Sequence, residues 1–453
     1  MKVNPSIFKS YDVRGTYPDQ LDEESAMRIG QAFGAFLARK QAKKSKVKIV
    51  VGKDGRLSSP SLSKALIQGI LQSGVDVVDL GLSTTPMMYF AAGYYKNSGG
   101  IMVTASHNPG HYNGLKFVEA GASPVGEVNG LFNVRDLALS QENLVARKKG
   151  KITKKKVLND YLKFHFKHFK VKEISGFKIG VDTANAVSGI VVEPFFKKAG
   201  IKTTHLLKKI DGKFPNHQPD PLKEENLIMI KSEVIKKKLD LGLAFDGDGD
   251  RVMFIDEKGN WVRADIITAL MTYILQSKDK NKKVLYDLRS TNFIKETAQS
   301  LGGQAIMSRV GHTFIKVSMR DNDIYFAGEV SGHYYWQELF CGEAPFFAVF
   351  TILKYLKEKK MTLSQAVAPF QKYFQSPEIN FKVNDCQAII KKLEAKYSDG
   401  KQNKIDGLRV DYNDWWFLVR ASNTEPVLRL GLEAKNKELL DQKIVELTKE
   451  ITG

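Results

Sequence analysis

Lys48-Ile-Val-Val-Gly-Lys-Asp54, Lys178-Ile-Gly-Val-Asp182 and Lys283-Val-Leu-Tyr-Asp287 are three versions of one pattern. Each starts at a lysine, crosses mainly apolar and small residues, and ends on an aspartate. Small residues and a helical pattern follow each one. Short apolar runs alternating with amphipathic segments predict buried strands joined by crossover helices, an α/β sheet. Further along each unit a second strand runs into a polar loop. Residues 100–103 lead into Thr104-Ala-Ser-His-Asn-Pro109, residues 241–245 into Asp246-Gly-Asp-Gly-Asp250, and residues 324–327 into Gly328-Glu-Val-Ser-Gly-His333. Repetition of one supersecondary unit predicts three similar mixed α/β domains. Ligands of such sheets bind at the loops after strand ends.

Working outward, residues 23–37 place Ala26, Ile29, Phe33, Phe36 and Leu37 on one face, the spacing of a helix. The tail is different. Short strands at 378–383, 407–412, 415–420 and 427–433 mix with helical patterns at 387–397 and 437–452, which predicts a C-terminal α+β domain. The basic stretch 148–156 reads as the first linker. The other boundaries fall near 256–260 and 366–376. The expected domains are therefore 1–150, 151–256, 257–370 and 371–453.

The chain has 453 residues, 43% hydrophobic and 26% charged, a balance that excludes wholesale disorder. Its formal charge of +19 favours anionic partners: nucleic acid, acidic lipid or phosphorylated small molecules. Two cysteines, Cys341 and Cys386, fit a reducing compartment. No apolar h-region follows Met1, and the most apolar stretch, 344–353, is far short of the ~20 residues of a membrane span. A soluble, cytoplasmic protein with no membrane partner is expected. The lysines cluster at 39–48, 147–156, 236–238, 278–283 and 357–360. These runs read as solvated loops. A nucleic-acid footprint would call for interleaved aromatics or a recognition motif, and the sequence has neither a paired Cys/His finger nor an RNP sequence.

Four loops could carry chemistry. Asp246, Asp248 and Asp250 alternate with glycines that let the backbone curl and the carboxylates converge. Three converged carboxylates repel unless a hard cation sits among them. An EF-hand does not fit, because its sixth position is Arg251 where glycine is needed and 252–255 continues as a strand. Ser106 beside His107 suggests a nucleophile, yet the G-x-S-x-G elbow is absent; the loop is equally a turn, or a hydroxyl that carries a phosphoryl group beside a cation. Glu329 and Ser331 suit adjacent sugar hydroxyls, or simply a polar turn. Arg420, Ser422, Asn423 and Thr424 form a phosphate cradle or a helix-capping cluster.

These loops, in this order, resemble the α-D-phosphohexomutases, most closely the phosphomannomutase/phosphoglucomutase group. The resemblance spans the chain, from Tyr11-Asp-Val-Arg-Gly15 and Gly52-Lys-Asp-Gly-Arg56 through Phe214-Pro-Asn-His-Gln-Pro-Asp-Pro221 to Arg420-Ala-Ser-Asn-Thr-Glu-Pro426. It implies four domains, heart-shaped around a central cleft, with rotation of the fourth as a gate. It implies interconversion of hexose 6- and 1-phosphates through a phosphoserine at Ser106 and a hexose 1,6-bisphosphate. Mg²⁺ would sit on Ser106, Asp246, Asp248 and Asp250. Lys116, His333, Arg14 and His107 would be catalytic. Tyr11, Arg251, His312, Glu329, Ser331, Arg420, Ser422, Asn423 and Thr424 would bind substrate. The implied partner is a small sugar phosphate, with no specific nucleic acid, on a monomer or dimer. The stretch Cys341-Gly-Glu-Ala-Pro345 departs from the family's acidic-glycine pattern before the next helix. Two alternatives stand beside this reading: a phosphoglucosamine mutase, and a nucleic-acid-binding protein on a mutase scaffold.

Overall fold

The computed structural model describes residues 3–41, 46–421 and 427–453. In it Lys48–Lys53 is a central strand with a parallel neighbour on each side, Asp76–Leu82 and Gly99–Val103. Parallel neighbours need crossovers, and the helices Ser59–Gln72 and Thr85–Tyr94 supply them. Tyr112–Glu119 and Val13–Thr16 extend the sheet antiparallel beyond Gly99–Val103. The helix Glu23–Lys40 begins where the Asp22 side chain accepts the Ser25 N–H. It carries Glu23 and Glu24 in its first turn and Arg39 and Lys40 in its last, matching the helix dipole. Its Ala26, Ile29, Phe33 and Leu37 are buried in the core of this sheet, and Phe36 is partly buried against it.

The far edge differs from the sequence reading. Ile152–Lys154, inside the basic stretch read as a linker, pairs in parallel with Asp76–Leu82. All three of its residues are exposed. An edge strand with one neighbour needs no apolar run, and lysines there discourage pairing with another chain. That is why it carries no strand signature.

A second sheet runs in the order Trp261–Val262, Val252–Ile255, Leu241–Phe245, Lys178–Asp182, Lys202–Leu206. The turn at 256–260 is a hairpin within this sheet, closed by Asp256 N–H to the Asn260 carbonyl at 2.9 Å. Three helices, Leu158–His168, Gly189–Ala199 and Pro345–Lys359, meet in an aromatic cluster. Phe195 and Phe346 stack at 3.9 Å between centroids, and Tyr161, His165 and Phe347 pack around them. The apolar stretch at 344–353 is thus a buried helix. Among the described residues no helix is long and apolar enough to cross a membrane.

The chain divides into two compact units. The first is Met1–Ala264 with Gly311–Ala327 and Ser331–Ser364; the second is Asp265–Val310 with Gly328–Val330 and Gln365–Gly453. In the second unit Val284–Asp287 pairs in parallel with Ala305–Ser308. Its other sheet is antiparallel, in the order Phe374–Gln375, Val427–Ala434, Trp415–Ala421, Leu408–Asp411, Lys401–Asn403, with Ile379–Lys382 also on Val427–Ala434. The helices Cys386–Lys396 and Lys437–Thr452 cover it through Leu393, Leu440, Leu447 and Ile451. This is the α+β tail expected from sequence.

Candidate active site

Ser106 follows the buried strand Gly99–Val103 and sits at φ +50°, the left-handed region that residues with a Cβ seldom adopt. Thr104 Oγ1 accepts its N–H at 2.9 Å. Its hydroxyl donates to Asp246 Oδ2 at 2.8 Å and lies 3.2 Å from His107 Nδ1. A serine turned against its strand in this way presents its oxygen to the neighbouring acidic loop.

That loop leaves the strand Leu241–Phe245. A Cβ on Gly247 would fall 2.1 Å from the Ser106 carbonyl oxygen, and Gly249 lies at φ +72°. Only glycine allows this approach and this turn. Asp246, Asp248 and Asp250 converge as the sequence predicted, with ligand oxygens within 4.8 Å of one another and exposures of 0%, 0% and 1%. Asp246 Oδ1 accepts the Asp250 and Arg251 N–H groups. Asp248 Oδ2 accepts from Thr85 Oγ1 at 2.5 Å and from Lys116 Nζ at 2.8 Å. Asp250 accepts from Lys116 Nζ at 2.5 Å and lies 3.1 Å from His333 Nε2.

The electrostatics follow from this packing. Burial, then Asp250 and Asp248, push the Asp246 carboxyl well above its usual range. Burial also opposes charge on Asp250, but Lys116 and His333 outweigh it and hold that carboxyl well below. Burial likewise opposes the Lys116 ammonium, and Asp248 and Asp250 reverse it. One ammonium does not satisfy three carboxylates: Asp248 Oδ1 is buried with no hydrogen-bond partner among the described residues. An all-oxygen donor set with an unpartnered carboxylate oxygen fits a hard divalent cation such as Mg²⁺.

Around this centre the first unit gathers most of the residues singled out from sequence. His333 Nδ1 lies 2.8 Å from Ser331 Oγ. His333 Nε2 lies 3.4 Å from the Arg251 Nε donor as well as 3.1 Å from Asp250, so it is placed between a group that needs it to accept and one that needs it to donate. Arg251 Nε is 3.9 Å from Asp246 Oδ2. Arg14 donates to Asn108 Oδ1 at 2.7 Å and to Asp12 at 2.5 Å, and its Nε is buried without a hydrogen-bond partner among the described residues. Burial, then Arg251 and Arg14, push the His107 imidazolium well below its ordinary range. The His312 ring lies edge-on to Tyr11 at 5.7 Å and 6.4 Å from the His333 ring. His217 is instead tied to Asp182 at 3.1 Å.

The second unit holds Glu329 and Arg420. Asp287, at the end of Val284–Asp287, accepts the Val330 N–H at 2.9 Å and so anchors the loop that carries Glu329. Arg420 ends the buried run of Trp415–Ala421 and lies 3.3 Å from Asp406. Ser422, Asn423 and Thr424 lie outside the described residues.

Several residues of these sites escaped the sequence reading. Arg289 makes two side-chain contacts with Asp287 and feels the charge of Glu329. Thr85 binds Asp248. Lys316, one helical turn after His312, forms an ion pair at 2.8 Å with Glu343, and both are buried. The i, i+4 spacing in His312-Thr-Phe-Ile-Lys316 was the available signal. Glu343 is the acid of the departing Cys341–Pro345 stretch; it forms the strand Gly342–Glu343, and Pro345 then opens the helix Pro345–Lys359.

The chain is similar to known proteins along its length. Four parts of one family match in order: phosphoglucomutase/phosphomannomutase alpha/beta/alpha domain I over residues 5–129, domain II over 159–259, domain III over 263–373 and the C-terminal domain over 378–450. A phosphomannomutase of Methanocaldococcus jannaschii is 38% identical over 445 residues, covering 97% of this chain and 96% of that one. A phosphomannomutase/phosphoglucomutase of Pseudomonas syringae is 36% identical, covering 96% and 93%. A crystal structure of a phosphoglucomutase/phosphomannomutase family protein from Burkholderia thailandensis superposes with a TM-score of 0.90 at 31% identity, covering 99% and 97%. With that full-length match and the carboxylate cluster facing Ser106, the chain belongs to the phosphoglucomutase/phosphomannomutase family.

Proposed function

We propose that this protein interconverts hexose 6-phosphates and hexose 1-phosphates, of mannose, glucose or both, with Ser106 as the phosphoryl carrier. The observation that supports it most directly is the Ser106 hydroxyl 2.8 Å from Asp246, beside a buried carboxylate oxygen on Asp248 that lacks a partner. In the first half-reaction the P–Oγ bond of phosphoserine breaks and a P–O bond forms to the free O6 or O1 of the bound sugar phosphate. The sugar hydroxyl gives up its proton, and the Ser106 oxygen leaves and is reprotonated. The resulting 1,6-bisphosphate turns over and returns its other phosphoryl group to Ser106. Mg²⁺ held by Asp246, Asp248, Asp250 and an oxygen on Ser106 supplies, when bound, neutralisation of charge on the transferring group.

The remaining work belongs to side chains. Arg14, Lys116 and Arg251 offer positive charge beside Ser106 to the phosphoryl oxygens. Because transfer is loose and mostly electrostatic, fixed cations in a dry site are the main source of rate. His333, oriented by Ser331 and Asp250, can hold or release a proton at its ring nitrogens, and His107 can take the Ser106 hydroxyl proton at Nδ1. Glu329 and Ser331 would grip sugar hydroxyls. Arg420, with Ser422, Asn423 and Thr424, would bind the phosphate not in flight. The test is turnover of mannose, glucose and glucosamine 1-phosphates side by side by the wild type and Ser106→Ala. Ser106→Ala is expected to lose about 10³-fold or more. Near-normal turnover by that variant refutes the role of Ser106, and preference for glucosamine 1-phosphate refutes the sugar assignment.

A further inference from the structure

Arg56 closes the Gly52-Lys-Asp-Gly-Arg56 turn, and it is 1% exposed. A guanidinium has five N–H donors, and in Arg56 every one is used. Nε donates to Asp54 Oδ2 at 3.2 Å. Nη1 donates to the Pro109 and Tyr112 carbonyls at 2.7 and 3.0 Å. Nη2 donates to the Ser106 and Asn108 carbonyls, both at 2.7 Å. No donor remains for a phosphate. Four main-chain carbonyls of the Ser106 loop therefore point at one cation, and without it their dipoles would repel one another across a buried space.

The same turn also packs against the segment that carries Gly212 and Phe214. The Arg56 guanidinium lies over the Phe214 ring, 5.3 Å from its centroid. A Cβ on Gly212 would meet Leu57 N at 2.6 Å and Gly55 O at 2.7 Å, so the two backbones are in direct contact there. The Ser106 carbonyl is thus held by Arg56 and closely approached by Gly247, while Ser106 itself occupies a left-handed conformation that residues with a Cβ seldom adopt.

We propose that Arg56 is a positioning residue for phosphoryl transfer: its hydrogen bonds to the 106–112 main chain set where the Ser106 oxygen sits, without contact to substrate. This rests on the reading of Ser106 as the phosphoryl carrier. Arg28 provides a comparison, because it also donates to a set of carbonyls, those of Leu137, Ala138, Ser140 and Glu142, at the end of the helix Leu131–Leu139. The experiment compares Arg56→Lys with Arg28→Lys by steady-state kinetics, thermal melting and amide exchange. A lysine at 56 cannot hold four carbonyls. Arg56→Lys is expected to lose about 10²-fold in kcat with KM within about 3-fold, and to exchange faster at 106–112. Arg28→Lys is expected to lower the melting temperature and leave kcat within about 2-fold. If Arg56→Lys does not fold, Asp54→Asn, which keeps the arginine but weakens its anchor, should show the same split at about 10-fold. An unchanged kcat in the folded variant, or a raised KM with kcat intact, overturns the proposal. Active wild-type enzyme that never carries phosphate on Ser106 would instead overturn the reading beneath it.

Discussion

Lowering the pH should unfasten the aromatic cluster, through His165. The residue is fully buried, with Tyr161, Phe195 and Phe347 ring centroids at 4.4, 4.8 and 5.0 Å. Its Nδ1 lies 2.8 Å from the Tyr161 carbonyl, which assigns the proton there and leaves Nε2 without a partner among the described residues. Burial pushes its pKa from 6.5 to about 3. The unfolded chain therefore binds a proton that the folded chain refuses. Stability from this group is complete above about pH 6.5 and is lost progressively as pH falls towards 3. The full gap of about 3.5 pH units corresponds to roughly 5 kcal/mol, and by about pH 5 some 2 kcal/mol of it has gone. Urea denaturation of the wild type and His165→Phe at about pH 7.5 and about pH 5 measures it. The wild type should lose about 2 kcal/mol more than the variant between the two conditions. Equal losses would refute the buried neutral imidazole as the source.

Two further outcomes follow from the charges around Ser106. Lys316→Met leaves Glu343 buried without its cation and should cost about 3–5 kcal/mol, most of it recovered when Glu343→Gln is added; additive losses in denaturation curves would contradict this. Exhaustive chelation of divalent cations should reduce mutase turnover about 10²-fold or more, with return on adding Mg²⁺; full activity in chelator would mean that Lys116 alone satisfies the carboxylates.

Much of the architecture was readable because buried strands and amphipathic helices leave periodic marks. The Lys48, Lys178 and Lys283 runs are strands at those places, and the helix at 23–37 extends only to Lys40. What escaped was structure without such marks. Ile152–Lys154 is an exposed edge whose lysine-rich flanks read as a linker. The candidate site was legible where chemistry forces unusual spacing, as in Asp-Gly-Asp-Gly-Asp. Residues that act through tertiary contact left no local trace: Thr85 reaches Asp248 across 163 positions, and Arg56 reaches the Ser106 loop across about fifty. The charge surplus of +19 is only partly accounted for by Arg14, Lys116 and Arg251 around Ser106. Lys236, Lys237 and Lys238, one of the lysine runs, are exposed on the C-terminal end of the helix Ile228–Lys237 and beyond.

The claim that Ser106 carries the phosphoryl group is tested most directly by intact mass and peptide mapping of the purified protein after incubation with glucose 1,6-bisphosphate. A phosphate-sized addition confined to the peptide containing Ser106, removed by excess glucose 6-phosphate and absent from Ser106→Ala, is the predicted result. A turning-over enzyme that never acquires that mass, or acquires it on another residue, would contradict the account.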